Sequence, residues 1–265
     1  MVHSGIVLEN ARLADKHHRL TLWLPEAAQQ AQPGQFLHVA CDGPGFVVRR
    51  PFSVHAVHAG SVSILLQVKG SGTSWLAERG AGDRLDVMGP LGAGFRLEPG
   101  YRNVLCVAGG VGVAPILFLA QRCREEGRKV TVLLGARTAD LVLAKDDLEA
   151  AGAEVLVATE DGSYGYRGTV VDLLSGYLEG ACGSGGKGPV HCICACGPRP
   201  MLAKVADMAR REGIPCLVSL EERMACGIGA CMGCVVPLRD PGGGFRYASV
   251  CREGPVFPAE RVVFS

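Results

Sequence analysis

"NVLCVAGGVGVAPILFLAQRCREEG", residues 103–127, joins three segments of different character. Val104, Leu105, Cys106 and Val107 make a short unbroken apolar run, as carried by a strand buried on both faces. Glycines at 109, 110 and 112 then punctuate the chain, and residues 114–126 form a run too long for a strand, closed by Gly127 as a helix stop. The same alternation continues downstream. "KVTVLLGA" (129–136), "EVLVATE" (154–160), "PVHCICAC" (189–196) and "PCLVSLEE" (215–222) read as strands. "KDDLEAAG" (145–152), "TVVDLLSGYLEG" (169–180) and "PRPMLAKVADMARREG" (198–213) read as helices, the last with Pro198 near its start. Five apolar strands with helices between them predict a parallel sheet covered on both faces. Only "GACGSGGKG" (180–188) reads as a flexible interruption, and no internal repeat is visible.

Before residue 100 the rhythm is different. "RLTLWLP", "GQFLHVACDGPG", "RRPFSVHAVHAG", "SVSILLQVKGSG" and "GDRLDVMGP" are short β-rich runs separated by turn residues, the spacing of an antiparallel barrel or sandwich. Leu20, Leu22 and Leu24 alternate with Thr21 and Trp23, as on a strand with one buried face. From Met224 onward cysteine, glycine and proline dominate, which predicts a small unit organised by something other than an apolar core. The expected architecture is α/β plus all-β: an antiparallel β-barrel over 1–99, a parallel-sheet α/β domain over 100–222 and a small C-terminal domain over 223–265.

A chain of 265 residues with 48% hydrophobic content can bury these cores. Its 27 basic and 26 acidic residues are spread without blocks, which argues against nucleic acid or an anionic membrane as partner. The N-terminal residues lack the pattern of a signal peptide, and no apolar run reaches the length of a membrane span, so a cytoplasmic location is expected. In that compartment twelve cysteines imply metal, redox or core roles rather than disulfides.

The cysteines separate into two groups. Cys226, Cys231 and Cys234 in "ACGIGACMGC" are spaced C-x4-C-x2-C, and Cys251 follows after sixteen intervening residues. That is the plant-type ligand pattern of a 2Fe-2S cluster. Gly227, Gly229 and Gly233 let the loop wrap closely and turn backbone N–H groups toward the sulfurs. A tetrahedral zinc site also takes four thiolates and stands as the alternative, although zinc ribbons usually pair two C-x2-C units. Cys192, Cys194 and Cys196 in "HCICAC" share one strand face and cannot converge on one metal; with Cys41, Cys106, Cys123, Cys182 and Cys216 they read as small buried hydrophobes or incidental thiols.

"AGGVGVAP" (108–115) sits between strand and helix, where glycines let the backbone approach a pyrophosphate at the helix N-terminus. "ACGPRPML" (195–202) occupies the carboxyl end of another strand, where open α/β sheets bind ligands. "RRPFS" (49–53) sets a cation beside a proline-stiffened strand, and "KGSGT" (69–73) is either a hairpin loop or a loop offering donors to phosphate.

In their order, "RPFS", "GSGT", "GPLGAGF", "AGGVGVAP", "ACGPRPML" and "SLEERMACGIGACMGC" resemble the electron-transfer subunit of NAD-dependent dihydroorotate dehydrogenase, within the ferredoxin reductase superfamily. The resemblance covers nearly the whole chain. It implies FAD in the barrel, with Arg50, Pro51, Phe52 and Ser53 against the flavin and ribityl chain, and Leu65, Leu66, Gln67, Gly72 and Thr73 holding the remainder. It implies an NAD(H) site shaped by Gly109, Gly110, Val111, Gly112, Pro115, Cys196, Gly197 and Pro198, with Cys196 near the nicotinamide. The family's cluster ligands fall on Cys226, Cys231, Cys234 and Cys251, after a longer glycine-rich interval ("RDPGGGF") than is usual.

NADH gives two electrons as a hydride and a cluster takes one at a time, so a flavin between them mediates; no acid–base residue is expected. The resemblance also implies a separate FMN-containing catalytic subunit that interconverts orotate and dihydroorotate in pyrimidine biosynthesis, in a heterotetramer of two plus two, with the cysteine domain at or beside the interface. Glu221 and Glu222 precede the cluster loop and either approach the flavin or form a solvated strand end. Related flavoprotein subunits serve ferredoxin:NADP oxidoreductase, sulfide dehydrogenase and hydrogenases. Those with bifurcating activity tend to carry aspartate at the first cluster position, where Cys226 stands here. From another class, a zinc-bearing or redox-sensing module without catalysis is the remaining alternative; flavin absorbance and about two irons per chain distinguish them. NADH against NADPH stays open, with Arg137 and the segment "TEDGSYGYRG" placed where the adenine ribose would sit.

Overall fold

The computed structural model describes residues 1–43, 45, 47–180, 189–240 and 242–264. Apart from Gly180, the "GACGSGGKG" stretch with its Cys182 lies outside the described residues.

The first unit comprises strands β1 (Val2–Ala14) and β2 (His17–Trp23), helix α1 (Pro25–Gln30), strands β3 (Phe36–Val39), β4 (Arg50–His58) and β5 (Ser61–Gln67), helix α2 (Ser71–Ala77) and strand β6 (Arg84–Leu91). Its strands close into an antiparallel barrel in the order β1-β2-β5-β4-β3-β6. Alternation fills it: Leu20, Leu22, Leu37, Val39, Val62, Ile64, Leu85 and Val87 are none more than 2% exposed. Each large aliphatic side chain buried this way contributes about 1.5–3 kcal/mol. β1 lacks a readable pattern because register shifts between Val7 and Glu9 and between Arg12 and Ala14 break its alternation. "KGSGT" is no hairpin loop; it opens α2, and the Thr73 hydroxyl accepts the Lys69 and Gly70 N–H groups at 2.9 and 3.1 Å.

The second unit comprises β7 (Asn103–Gly109), α3 (Val113–Glu125), β8 (Lys129–Ala136), α4 (Lys145–Ala150), β9 (Glu154–Thr159), β10 (Tyr166–Arg167), α5 (Val170–Leu178), β11 (Cys192–Cys196), α6 (Arg199–Arg211) and β12 (Cys216–Ser219). After it come the hairpin β13 (Val235–Arg239) and β14 (Phe245–Ser249) and then β15 (Val256–Pro258). The sheet runs β10-β9-β8-β7-β11-β12-β15, all parallel except β15. The five strands expected from the sequence form its centre, and the order reverses between β7 and β11. Cys106, Cys192, Cys194 and Cys196 pack on one face with Ile116 and Cys123 of α3, while Leu105, Val107, Ile193 and Ala195 face Leu173 of α5 and Leu202 of α6. "HCICAC" is therefore a core strand, its thiols acting as small apolar groups.

One expectation needs correction. The segment after Met224 is organised in part by an apolar core that it shares with the sheet domain, because Val236, Leu238, Ala248, Val250 and Val262 pack continuously with Ile193, Val218 and Phe257. β15 adds itself to β12, so residues 256–258 belong to the sheet. The short apolar run "PVFP" is too brief to announce an edge strand by itself.

His55 of β4 joins barrel to sheet domain. It is 1% exposed, its Nδ1 donates to the Ala114 carbonyl at 3.0 Å, and its Nε2 has no partner among the described residues. Burial pushes its pKa down to about 4. With the folded value below the unfolded value of about 6.5, its contribution to stability is complete above pH 6.5 and is lost as pH falls toward 4. Denaturant titrations from pH 7.5 to 4 are expected to show wild type losing stability relative to His55→Gln across that window; a constant difference refutes this.

Candidate functional site

Two cavities open along the boundary between barrel and sheet. The first, about 590 Å³, lies at the carboxyl ends of the strands beside the reversal between β7 and β11. The second, about 760 Å³, runs along β4 and β5. Both fall in the range of about 300–1,000 Å³ typical of small-molecule sites. Gln67, Lys69, Val111 and Glu221 line both, so the cavities meet there.

Arg50, Pro51, Phe52, Ser53, Leu65, Gln67 and Thr73 all line the second cavity. Leu66 does not: strand alternation turns it into the barrel core, where it is 1% exposed. Gly72 backs onto Arg50, whose Nε lies 3.0 Å from where a Cβ at 72 would stand. The Arg50 guanidinium donates to the Val48 carbonyl. The far wall comes from Glu221, Glu222, Arg223 and Met224. Burial raises the Glu221 carboxyl above its usual range, opposed by the Lys69 charge, and Glu222 pairs with Arg199 at 2.9 Å. Both glutamates thus approach this cavity, together with Arg223 and Met224, to which the sequence motif assigns no site role.

The first cavity is built on glycine. Gly109, Gly110, Val111 and Gly112 leave β7 in a 3-10 turn that leads into α3, and Gly197 and Pro198 face them from the end of β11. Gly197 has φ +155°, and a Cβ there would approach the Met201 side chain to 2.7 Å. Pro115 is buried within the first turn of α3, and Cys196 is 1% exposed, so both stand behind the wall rather than in it. Burial raises the Cys196 thiol well above its usual range. Arg137, Glu160, Thr169 and Lys204 also line it. Lys204 shares a helix face with Pro200 and Met201, a pattern visible only once the carboxyl end of the sheet is located.

The cysteine loop carries its own donors. Cys226 Sγ accepts from the Cys231 N–H (3.4 Å), Cys231 Sγ from Gly233 (3.4 Å), Cys234 Sγ from Cys251 (3.5 Å) and Cys251 Sγ from Gly229 (3.1 Å). Gly227 and Gly229 have φ +71° and +82°, which glycine adopts without strain. Backbone N–H groups, those of Ile228 and Cys231 foremost, pull the Cys226 thiol down to about 6. Every one of the four sulfurs is met by a peptide N–H, which suits an anionic cluster. Among the described residues no three His, Cys, Asp or Glu side chains converge as ligands of one ion; a two-iron cluster takes its thiolates in two pairs, one per iron. Around this loop Ile228, Met232 and Tyr247 are 55%, 54% and 68% exposed.

Residues 221–263 match the iron–sulfur cluster binding domain of dihydroorotate dehydrogenase B, and residues 106–207 match an oxidoreductase NAD-binding domain. The dihydroorotate dehydrogenase B (NAD(+)) electron transfer subunit of Caldanaerobacter subterraneus subsp. tengcongensis is 40% identical, over 97% of each chain. The subunit of the same name from Bacillus caldolyticus is 40% identical over 95% of this chain and 94% of its own. Among solved structures, an NADH-dependent reduced ferredoxin-NADP oxidoreductase, described for flavin-based electron bifurcation, superposes with a TM-score of 0.86 at 30% identity, over 99% of this chain and 90% of that one.

Proposed function

The chain belongs to the family of dihydroorotate dehydrogenase B electron transfer subunits, and from that premise we propose how its own residues carry the role. It is an NAD-linked oxidoreductase subunit that passes electrons through FAD and a 2Fe-2S cluster, and a catalytic partner subunit completes the enzyme. Bound FAD supplies the conversion between a two-electron hydride and single electrons. Arg50 to Ser53, Leu65 and Gln67 bind it along β4 and β5, and Thr73 at the start of α2, in the 1–99 unit. Gly109 to Gly112, Gly197 and Pro198 seat the dinucleotide, in the 100–222 unit, with Lys69, Arg137 and Lys204 supplying positive charge for its phosphates. Glu160 favours NADH, since a carboxylate accepts ribose hydroxyls and repels a 2′-phosphate. Cys226, Cys231, Cys234 and Cys251, in the 223–265 unit, hold the cluster.

The observation that carries this reading is the common wall. Gln67, Lys69, Val111 and Glu221 border both cavities, so a nicotinamide held in one lies next to a flavin held in the other. The partner is an FMN protein that interconverts orotate and dihydroorotate, assembled two plus two in the cytoplasm. It docks over the exposed Ile228, Met232 and Tyr247, beside the half-buried Cys226 and the exposed Cys231. No helix among the described residues is long and apolar enough to cross a membrane.

The purified chain is expected to reduce dyes with NADH and to hold one FAD and about two irons. Orotate-dependent NADH oxidation should appear only when a dihydroorotate dehydrogenase catalytic subunit is added. Such oxidation by the chain alone, or a colourless protein holding one zinc, refutes the proposal.

A further inference from the structure

The alternation of β3 sends Leu37 and Val39 into the barrel and leaves Phe36 and His38 on the outer face, beneath the C-terminal segment. Phe36 lines the second cavity and packs in the same cluster as Cys234 and Cys251. His38 is 0% exposed. Its ring stands edge-on to Phe36, centroids 6.4 Å apart and planes at 76°, and its cross-strand neighbour on β4 is Pro51. On the other side its Nδ1 faces the backbone of Gly227, the residue after the first loop cysteine. A Cβ at 227 would overlap Nδ1 and lie 3.0 Å from Cε1.

Neither ring nitrogen of His38 has a hydrogen-bond partner among the described residues. A neutral imidazole carries one N–H donor and one lone pair, and burying a donor unmatched forfeits its hydration in full. Burial lowers the pKa of this ring to about 4. A ring so placed packs against the flavin strand on one side and the cysteine loop on the other, with a donor unspent.

We propose that His38 is a positioning residue of the cluster site: its imidazole, which reaches none of the four cysteine sulfurs, donates an N–H to an inorganic sulfide of the cluster carried by the 226–234 loop, and so raises the cluster's reduction potential. This rests on the cluster reading of the cysteine loop. An N–H aimed at sulfur stabilises the extra negative charge of the reduced form. Glycine at 227 is then required because any side chain there would occupy the place of the ring.

The test uses the full chain with FAD and cluster loaded. His38→Phe keeps a ring and removes the donor; His38→Gln keeps a donor. EPR-monitored redox titration is expected to show the one-electron reduction equilibrium of the cluster about tenfold less favourable in His38→Phe, or ~59 mV for a one-electron couple. In His38→Gln it should recover in part, with the flavin midpoint unmoved. Full iron content with an unchanged midpoint in His38→Phe overturns the proposal. Should that variant lose its cluster, unsubstituted protein labelled with imidazole-15N histidine decides: pulsed EPR of the reduced cluster should show 15N coupling, and none is a refutation. Wild-type protein without iron would instead refute the cluster reading itself, which iron and sulfide assays show before any variant is made.

Discussion

Cys251→Ser is expected to cut electron delivery to the catalytic partner by at least about a hundredfold, at or beyond the 10–100-fold range for outer-shell partners of a metal site. Reduction of the flavin by NADH should stay near the unsubstituted rate. Cys251 reaches the loop from beyond the β13–β14 hairpin, is 2% exposed, and exchanges backbone–sulfur hydrogen bonds with Gly229 and Cys234. Burial, with the Cys234 thiol beside it, pushes its own thiol up to about 12. A cluster ligand binds iron as thiolate, and a serine hydroxyl gives up its proton far less readily than a thiol. Cys123→Ala is the control: that thiol is 1% exposed within the α3 core and should lower stability while leaving iron content intact. The measurements are iron per chain, NADH–dye activity and orotate-dependent NADH oxidation with the partner added. Full iron and full coupled activity in Cys251→Ser would remove Cys251 from the ligand set.

The parts of the molecule that were legible in sequence are those whose physics is local. A strand buried on both faces announces itself in five or six residues, so the centre of the sheet could be read from "NVLCVAGG" and its successors. Ligand spacing is likewise local, and the four proposed ligands, Cys226, Cys231, Cys234 and Cys251, lie in one matched segment. What was hidden depends on distant chain. β1 loses its alternation to bulges imposed by its neighbours. The buried Val236, Leu238 and Val250 find their core only because β15 returns to β12. Within the cavities, sequence motifs name runs of adjacent residues, whereas strands and helices turn some of each run away. Leu66, Pro115 and Cys196 are such cases. Thr169, which caps α5, and Lys204 of α6 meet the Glu160 segment, placed from sequence, only in the fold.

Gly112→Ala should weaken NADH use by a hundredfold or more in kcat/KM while FAD and iron remain bound. The added methyl would overlap the Cys196 carbonyl oxygen and stand 2.6 Å from its carbon and 2.8 Å from the Gly197 Cα. These atoms cannot retreat, because β11 is held in register by β7 on one side and β12 on the other. The strain must therefore part the two turns, 109–112 and 197–198, that face each other across the cavity proposed to seat the dinucleotide. A misplacement near 1 Å in a site that aligns two reacting groups costs about 100-fold, and overpacking lowers stability by about 1–3 kcal/mol. Gly110→Ala separates space from backbone conformation. Gly110 has φ +56° but nothing within 4 Å of its would-be Cβ, so only a conformational cost of about 1–2 kcal/mol applies. Stopped-flow reduction of the flavin across NADH concentrations should therefore rank wild type, then Gly110→Ala, then Gly112→Ala. If Gly112→Ala reduces its flavin at wild-type efficiency, the glycine turn merely connects β7 to α3 and the dinucleotide lies elsewhere.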